Sequence, residues 1–156
     1  MITTEFWQAL VDTLAGGQSA FLAIVVDSRS GSPGTPGADL FVRPDGSQVG
    51  TIGGGIMEIE LLTTAREAIA AGSCPPQLQE LWHRRDAPGT PSGMICSGSQ
   101  TNLYVLCRPD RDHPLFNRVL EASTGTGTEA LRATNRGLEL VTTDDPRPIV
   151  VDAEAW

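Results

Sequence analysis

Two glycine-rich stretches and one cysteine are the residues whose types and spacing suit chemistry. The first stretch is Gly50-Thr51-Ile52-Gly53-Gly54-Gly55, set between a short apolar segment and a helix-like segment that carries Glu58. Glycines let a ligand approach the backbone closely. N–H groups at a helix start lack partners inside the helix and sit at the positive end of its dipole. Together these features suit a phosphate or another anion. They equally suit a tight, closely packed turn, and both readings stand. The stretch is not a dinucleotide fingerprint, because Glu58 stands where the third glycine after Gly53 and Gly55 would be.

The second stretch is Ser30-Gly31-Ser32-Pro33-Gly34-Thr35-Pro36-Gly37. Its prolines stiffen it and its glycines keep N–H groups open. Ser30, Ser32 and Thr35 add hydroxyls suited to an oxygen-rich ligand; a plain surface loop is the alternative. The third segment, residues 92–100, holds Cys96 between small residues. A thiol there suits a soft metal or a transferred sulfur, or else is a small buried hydrophobe. Glu58 either serves the helix dipole or faces a ligand. His83, beside Arg84 and Arg85, reads as a solvated strand end that can meet an anion, whereas Cys74 and Cys107 read as structural.

Composition narrows the classes. The chain has 156 residues, which fits one domain. Eleven basic against nineteen acidic residues give a net charge of −8, which disfavours a nucleic-acid partner. Every basic residue is Arg, so Schiff-base lysine chemistry and a Walker A loop are excluded. Two histidines and three cysteines spaced by 22 and 11 make neither a disulfide framework nor a metal knuckle, and no metal site is assigned. The first seventeen residues lack the pattern of a signal peptide. No apolar run approaches the ~20 residues of a membrane helix. A cytoplasmic protein without a membrane partner is expected.

The elements that must position these residues follow from periodicity. Residues 3–15 read as a helix capped by Thr3 or Thr4, with Trp7, Leu10, Val11 and Leu14 on one stripe. Residues 21–26 read as a strand buried on both faces. Residues 38–43 and 48–52 read as a hairpin turned by Pro44-Asp45-Gly46-Ser47, which brings both glycine stretches to one end of the sheet. A helix is expected over 56–71, with Ile59, Leu62, Ala65, Arg66 and Ile69 near one face. Strands are expected over 77–83 and 101–107, with a loop over 84–98. A helix is expected to open at Pro114, after a polar turn at 108–112. Strands follow over 129–134 and 138–143, and a further strand is expected at 149–151. The tail from 144 to 156 has a linker-like composition.

The blocks SGSPGTPGADLFVRPDGSQVGTIGGGIMEIEL and SGMICSGSQT, in this order, resemble the N-terminal domain of the XdhC/CoxI family over about residues 20–107. The Gly-Ser-x-Pro-x-x-Pro-Gly loop is matched from Gly31 to Gly37, with Ser32 and Pro33 in place. The Gly-Gly-x-x-Glu helix start is matched at Gly54, Gly55 and Glu58, and Gly-x-x-Cys-x-Gly at Gly93, Cys96 and Gly98. Many members carry Cys just after the paired glycines. Ile56 stands there in this chain, which puts a two-thiol sulfur transfer in question.

The resemblance implies an α/β domain, residues 1–143, with a mixed β-sheet and packed helices, and without the family's C-terminal Rossmann domain. It implies an accessory, chaperone-like protein that transiently binds the molybdenum cofactor (molybdopterin). Such a protein assists the cofactor's sulfuration or its insertion into xanthine dehydrogenase or CO dehydrogenase type enzymes. The expected partners are the apo-enzyme, a cysteine desulfurase and a second copy of the chain. The expected cofactor-binding residues are Ser30, Gly31, Ser32, Pro33, Gly37, Gly53, Gly54, Gly55, Glu58, Cys96 and Gly98. Cys96 contacts sulfur or metal in this reading, with Glu58 as the other chemical candidate. A maturation factor is favoured over a catalyst. The alternatives are a small phosphate- or nucleotide-binding hydrolase or transferase, or an interaction module working with a separate Rossmann-domain chain.

Overall fold

The structure is a computed structural model, and it describes residues 3–29, 31–83, 89–92, 98–125, 129–144, 149–151 and 156. The chain begins with helix α1 (Thr4–Ala15), whose cap Thr3 accepts the Phe6 N–H at its side-chain oxygen. Phe6, Trp7, Leu10, Val11 and Leu14 form its buried stripe, as the 3, 4, 7 spacing requires. Strand β1 (Ala20–Ser28) follows, then β2 (Asp39–Val42) and β3 (Gln48–Gly50). Helix α2 (Gly55–Ala71) leads to β4 (Gln77–Trp82), the two-residue β5 (Thr90–Pro91) and β6 (Ser99–Cys107). Helix α3 (Pro109–Thr124) and strands β7 (Glu129–Thr134), β8 (Gly137–Thr142) and β9 (Ile149–Val151) complete it.

Six strands form one sheet in the order β3-β2-β1-β6-β4-β5, and three form a second in the order β8-β7-β9. The large sheet is mixed: β5 runs parallel to β4, and the other pairs are antiparallel. Strand β1 is buried on both faces because each face has its own cover. Leu22 and Ile24 join α1, α3 and the small sheet in one core; Phe21, Ala23 and Val25 join α2 in the other. Period two sends Phe41 to the first core and Leu40 and Val42 to the second. In the first core Trp7 stacks on Phe116 at 5.7 Å, and Phe6 meets Phe41 edge-on at 5.3 Å. Each such fully buried side chain contributes about 1.5–3 kcal/mol.

Three sequence expectations change here. Helix α3 begins at Pro109, and Pro114 lies inside it. Pro109 fits the first helical position as well as Pro114 would, and Asp110 and Asp112 favour the positive end of the dipole. Asp112 also accepts the Arg108 N–H at 2.7 Å, which fixes the earlier start. On α2 the buried stripe is Met57, Leu61, Ala65 and Ala68, while Ile59 is 65% exposed. Leucine and methionine reach the sheet from this face, so Ile56 and Ile59 turn outward, while Leu62 and Ile69 pack partly buried at the edge of the same core. Strand β6 starts two residues before the expected Thr101, because Gln100 and Ser99 pair with the end of β4.

Candidate functional site

The hairpin of β2 and β3 sets Leu40 opposite Gly50, so the connection from β1 and the connection into α2 emerge side by side. The two loops touch through their backbones. A Cβ placed on Gly34 would lie 2.6 Å from the Ile52 carbonyl oxygen and 2.5 Å from Gln100 Oε1. One placed on Gly53, whose φ is +127°, would lie 3.1 Å from the Gly34 nitrogen. No real Cβ tolerates the Gly34 contacts, so glycine there is a packing requirement.

Gln100 clamps this crossing. It is 1% exposed. Its Oε1 accepts from the Gly34 N–H at 3.2 Å and the Ser32 hydroxyl at 2.8 Å. Its Nε2 donates to the Ile52 carbonyl and to Asn102 Oδ1, each at 3.0 Å. Asn102 passes the chain on to the Tyr104 hydroxyl at 3.1 Å. One amide therefore uses both oxygen lone pairs and both hydrogens, and ties the two loops to the centre of the sheet.

His83 extends the network toward β5. It is fully buried, with Nε2 3.0 Å from Ser32 Oγ and Nδ1 2.6 Å from Ser92 Oγ. The expectation of a solvated strand end is thus corrected. The backbone of His83 is held by the Gly98 carbonyl at 3.0 Å, which draws the residue under the loops rather than out to water. Burial holds its pKa below the ordinary histidine value. Because Ser32 donates its hydrogen to Gln100, the Ser32 oxygen accepts from His83 Nε2–H, and His83 Nδ1 accepts from Ser92.

Glu58 organises the glycine turn from the other side. Its Oε1 accepts from the Ile52 and Gly54 N–H groups at 2.9 Å each and from the Thr51 hydroxyl at 2.5 Å. Its Oε2 accepts from Gln48 Nε2 at 3.1 Å. Burial alone would raise its pKa, but these donors outweigh burial and the net shift is downward. The carboxylate therefore sits where a small anion would otherwise take the two N–H groups of the turn. Gly53 N–H turns to Thr51 Oγ1 at 3.3 Å.

Open donors remain one step further on. Helix α2 has Gly54 as its cap, with φ +77° and no side-chain capping bond. The N–H groups of Gly55, Ile56 and Met57 are the first three of the helix and find no partner among the described residues. A Cβ on Gly54 would meet nothing within 4 Å, so the approach to these groups is open. Ile56, 45% exposed, and Ile59 flank the opening with apolar surface.

The expected residues distribute as follows. Gly53, Gly54, Gly55 and Glu58 form the turn and helix start. Ser32 and Gly34 belong to the Gln100 clamp, and Gly37 donates its N–H to the Val25 carbonyl at 2.8 Å. Pro33 packs against Gly53, Gly31 supplies a positive φ of +90°, and Gly98 supports His83. Ser30, Gly93 and Cys96 lie outside the described residues. Cys107 is buried and Cys74 half-buried, and burial raises both thiols. Sequence reasoning missed Gln100 and Asn102; their signal was two amide side chains two apart in the polar first half of a strand whose second half is apolar. Among the described residues no group of three His, Cys, Asp or Glu is placed to hold a metal ion. No helix among them is long and apolar enough to cross a membrane.

Residues 13–79 match the model of the XdhC and CoxI family. The likeness to that family covers this segment, which is under half of the chain. The matched segment contains both glycine loops and Glu58, and stops before Gln100. A solved structure of a xanthine dehydrogenase from Bacillus halodurans superposes with a TM-score of 0.61 at 22% identity, covering 88% of this chain and 43% of that one. At that identity the likeness shows a shared α/β fold, and the chain spans less than half of that neighbour's length. Comparison with curated proteins gives no match.

Proposed function

We propose that this chain is an accessory factor in the maturation of molybdenum hydroxylases, and that it binds the molybdenum cofactor at the start of α2. The family match over residues 13–79 supports the general role. The observation that carries the ligand is the open set of N–H groups at Gly55, Ile56 and Met57, approached past Gly54. These donors fit the phosphate of a pterin cofactor. Glu58 does not compete for them; it fixes the turn behind them. Ser32 and Gly34, locked by Gln100, hold the neighbouring loop in one position, so binding costs little ordering. The cofactor supplies a redox-active metal to the client enzyme, while this chain's residues bind, orient and shield it. Cys96 is the candidate contact for sulfur or metal. The apo-hydroxylase, a cysteine desulfurase and a second copy of the chain are the proposed partners.

The test is binding of purified molybdenum cofactor to the wild type and to Ile56→Pro. Proline near a helix start removes one N–H without breaking an intrahelical bond. Weaker binding by about tenfold, with the fold intact, supports the reading. Equal binding by both proteins contradicts it. A hydrolase reading draws on the Ser32–His83 pair at 3.0 Å. It stands second, because the Ser32 hydrogen points to Gln100 and the pair is closed off from solvent on the histidine side.

A further inference from the structure

A cavity of about 430 Å³ opens at the end of the large sheet remote from the glycine loops, between the chain leaving α2, the start of α3 and the β7–β8 turn. That volume is in the range of small-molecule sites. Strand β6 runs from Gln100, in the clamp, to Cys107, in the lining of this cavity. Helix α2 spans 17 residues between the two regions, a length of about 25 Å. None of the residues placed at the start of α2 lines the cavity.

The lining carries three guanidinium groups, on Arg108, Arg111 and Arg136, against one carboxylate, on Asp112. This is a local excess of positive charge in a chain whose net charge is −8. The chain's own acids take part of it. Arg108 commits Nε and Nη2 to Asp110, and Arg111 commits the same two atoms to Asp112. Arg111 Nη2 also donates to the Leu106 carbonyl at 3.0 Å, which holds this guanidinium against the end of β6. Nη1 of each has no partner among the described residues, and the two side chains are 44% and 57% exposed, so these atoms are within reach of a ligand. Arg136 is exposed, and its side chain makes no hydrogen bond or ion pair among the described residues, while its backbone N–H is tied to Thr134 Oγ1 at 3.2 Å. Asp112 is occupied in turn, because it accepts from Arg111 and from the Arg108 N–H at 2.7 Å. Burial holds the Cys74 and Cys107 thiols above the ordinary thiol range, so they add no negative charge to the lining. Pro75, Pro76, Leu115 and Leu138 complete the wall with apolar surface.

Guanidinium forks suit the oxygens of phosphate and carboxylate, and the apolar wall suits a hydrocarbon body. We propose that this cavity binds a small organic oxyanion, an apolar ring bearing a phosphate or carboxylate group, with Arg136 as the principal donor and Arg108 and Arg111 beside it. The site is separate from the start of α2 and does not depend on the function proposed above.

The test follows backbone amide and arginine Nε–H signals by NMR while phenyl phosphate, benzoate or inorganic phosphate is added to the full chain. The expected result is saturable shifts at Arg111, Arg136, Gly137 and Leu138 with an aromatic anion, and weaker binding of inorganic phosphate, which has no apolar body. The ranking of phenyl phosphate against benzoate identifies the head group. Benzylammonium, with a similar ring and the opposite charge, should leave these signals unmoved. Arg136→Gln removes the charge without breaking a side-chain bond, so the fold is kept, and it should weaken binding by about tenfold. Arg118→Gln removes an exposed arginine of α3 outside this lining and should leave binding unchanged. Shifts confined to residues 54–57 overturn the proposal, because the anions then choose the start of α2. So does the lack of a saturable shift with both aromatic anions, or equal binding of benzylammonium. So does equal binding by wild type and Arg136→Gln, or an equal loss in Arg118→Gln, which marks long-range charge alone.

Discussion

Gln100→Met tests whether one amide holds the two glycine loops together. Methionine has similar length and volume, so the substitution removes the hydrogen bonds and leaves little cavity. Two buried backbone groups then lose their partner: the Gly34 N–H, bonded at 3.2 Å, and the Ile52 carbonyl, bonded at 3.0 Å. Each orphaned group costs about 1–3 kcal/mol. Ser32 can turn its hydroxyl, and Asn102 keeps Tyr104, so their share is smaller. The expected loss is roughly 2–5 kcal/mol, out of a total near 5–15 kcal/mol for a domain of this kind. For a chain of this length each kcal/mol moves Tm by about 2–4 °C. The melting temperature followed by circular dichroism should therefore fall by roughly 4–20 °C. Amide exchange at Gly34 and Gly53 should accelerate more than exchange in β1. A loss under about 1 kcal/mol with Gly34 exchange unchanged would refute the clamp, because the loops would then be held by something else.

Three further outcomes follow. Gly34→Ala should cost about 1–3 kcal/mol by overpacking, since its Cβ would lie 2.6 Å from the Ile52 oxygen; urea denaturation reads it directly. Glu58→Ala should cost about 1–2 kcal/mol, kept low because the carboxylate is partly solvated. Its folded pKa is depressed, so the stability Glu58 provides is present above its ordinary value of 4.5 and is lost as pH falls through the folded pKa. Wild type and variant should therefore converge in acid. Asp39 behaves oppositely: its pKa rises from 3.8 to about 6 on folding, so its contribution worsens as pH climbs through that window. Asp39→Asn should be more stable than wild type above pH 6 by roughly 1–2 kcal/mol, and the gain should vanish near pH 4; melts across pH check it.

Much of the scaffold was legible because local rules and tertiary packing agree. Trp7, Leu10 and Leu14 mark α1 by spacing, and residues 21–26 mark a strand buried twice. The Pro44–Ser47 turn brings the glycine loops together without any long-range information. Other features were hidden for identifiable reasons. Both Pro109 and Pro114 satisfy a helix start, and only the Arg108–Asp112 bond decides between them. The outward face of Ile59 depends on α2 pressing Met57 and Leu61 onto β1, which periodicity alone does not reveal. The functions of Gln100 and His83 depend on partners 48–68 residues away in sequence, at Ile52 and Ser32. Glu58 was legible as a helix-start acid. That it occupies the Ile52 and Gly54 N–H groups, and shifts the open donors to Gly55–Met57, needed the geometry of three positive-φ glycines in a row.

In the proposed function the start of α2 holds the phosphate of a molybdenum cofactor. Amide chemical-shift mapping of the protein with purified cofactor tests it most directly. Binding there should give saturable shifts centred on Gly54, Gly55, Ile56 and Met57, with the Gln100 side-chain amide nearly still. Shifts confined to other surfaces, or none at cofactor concentrations well above those of the protein, would contradict it.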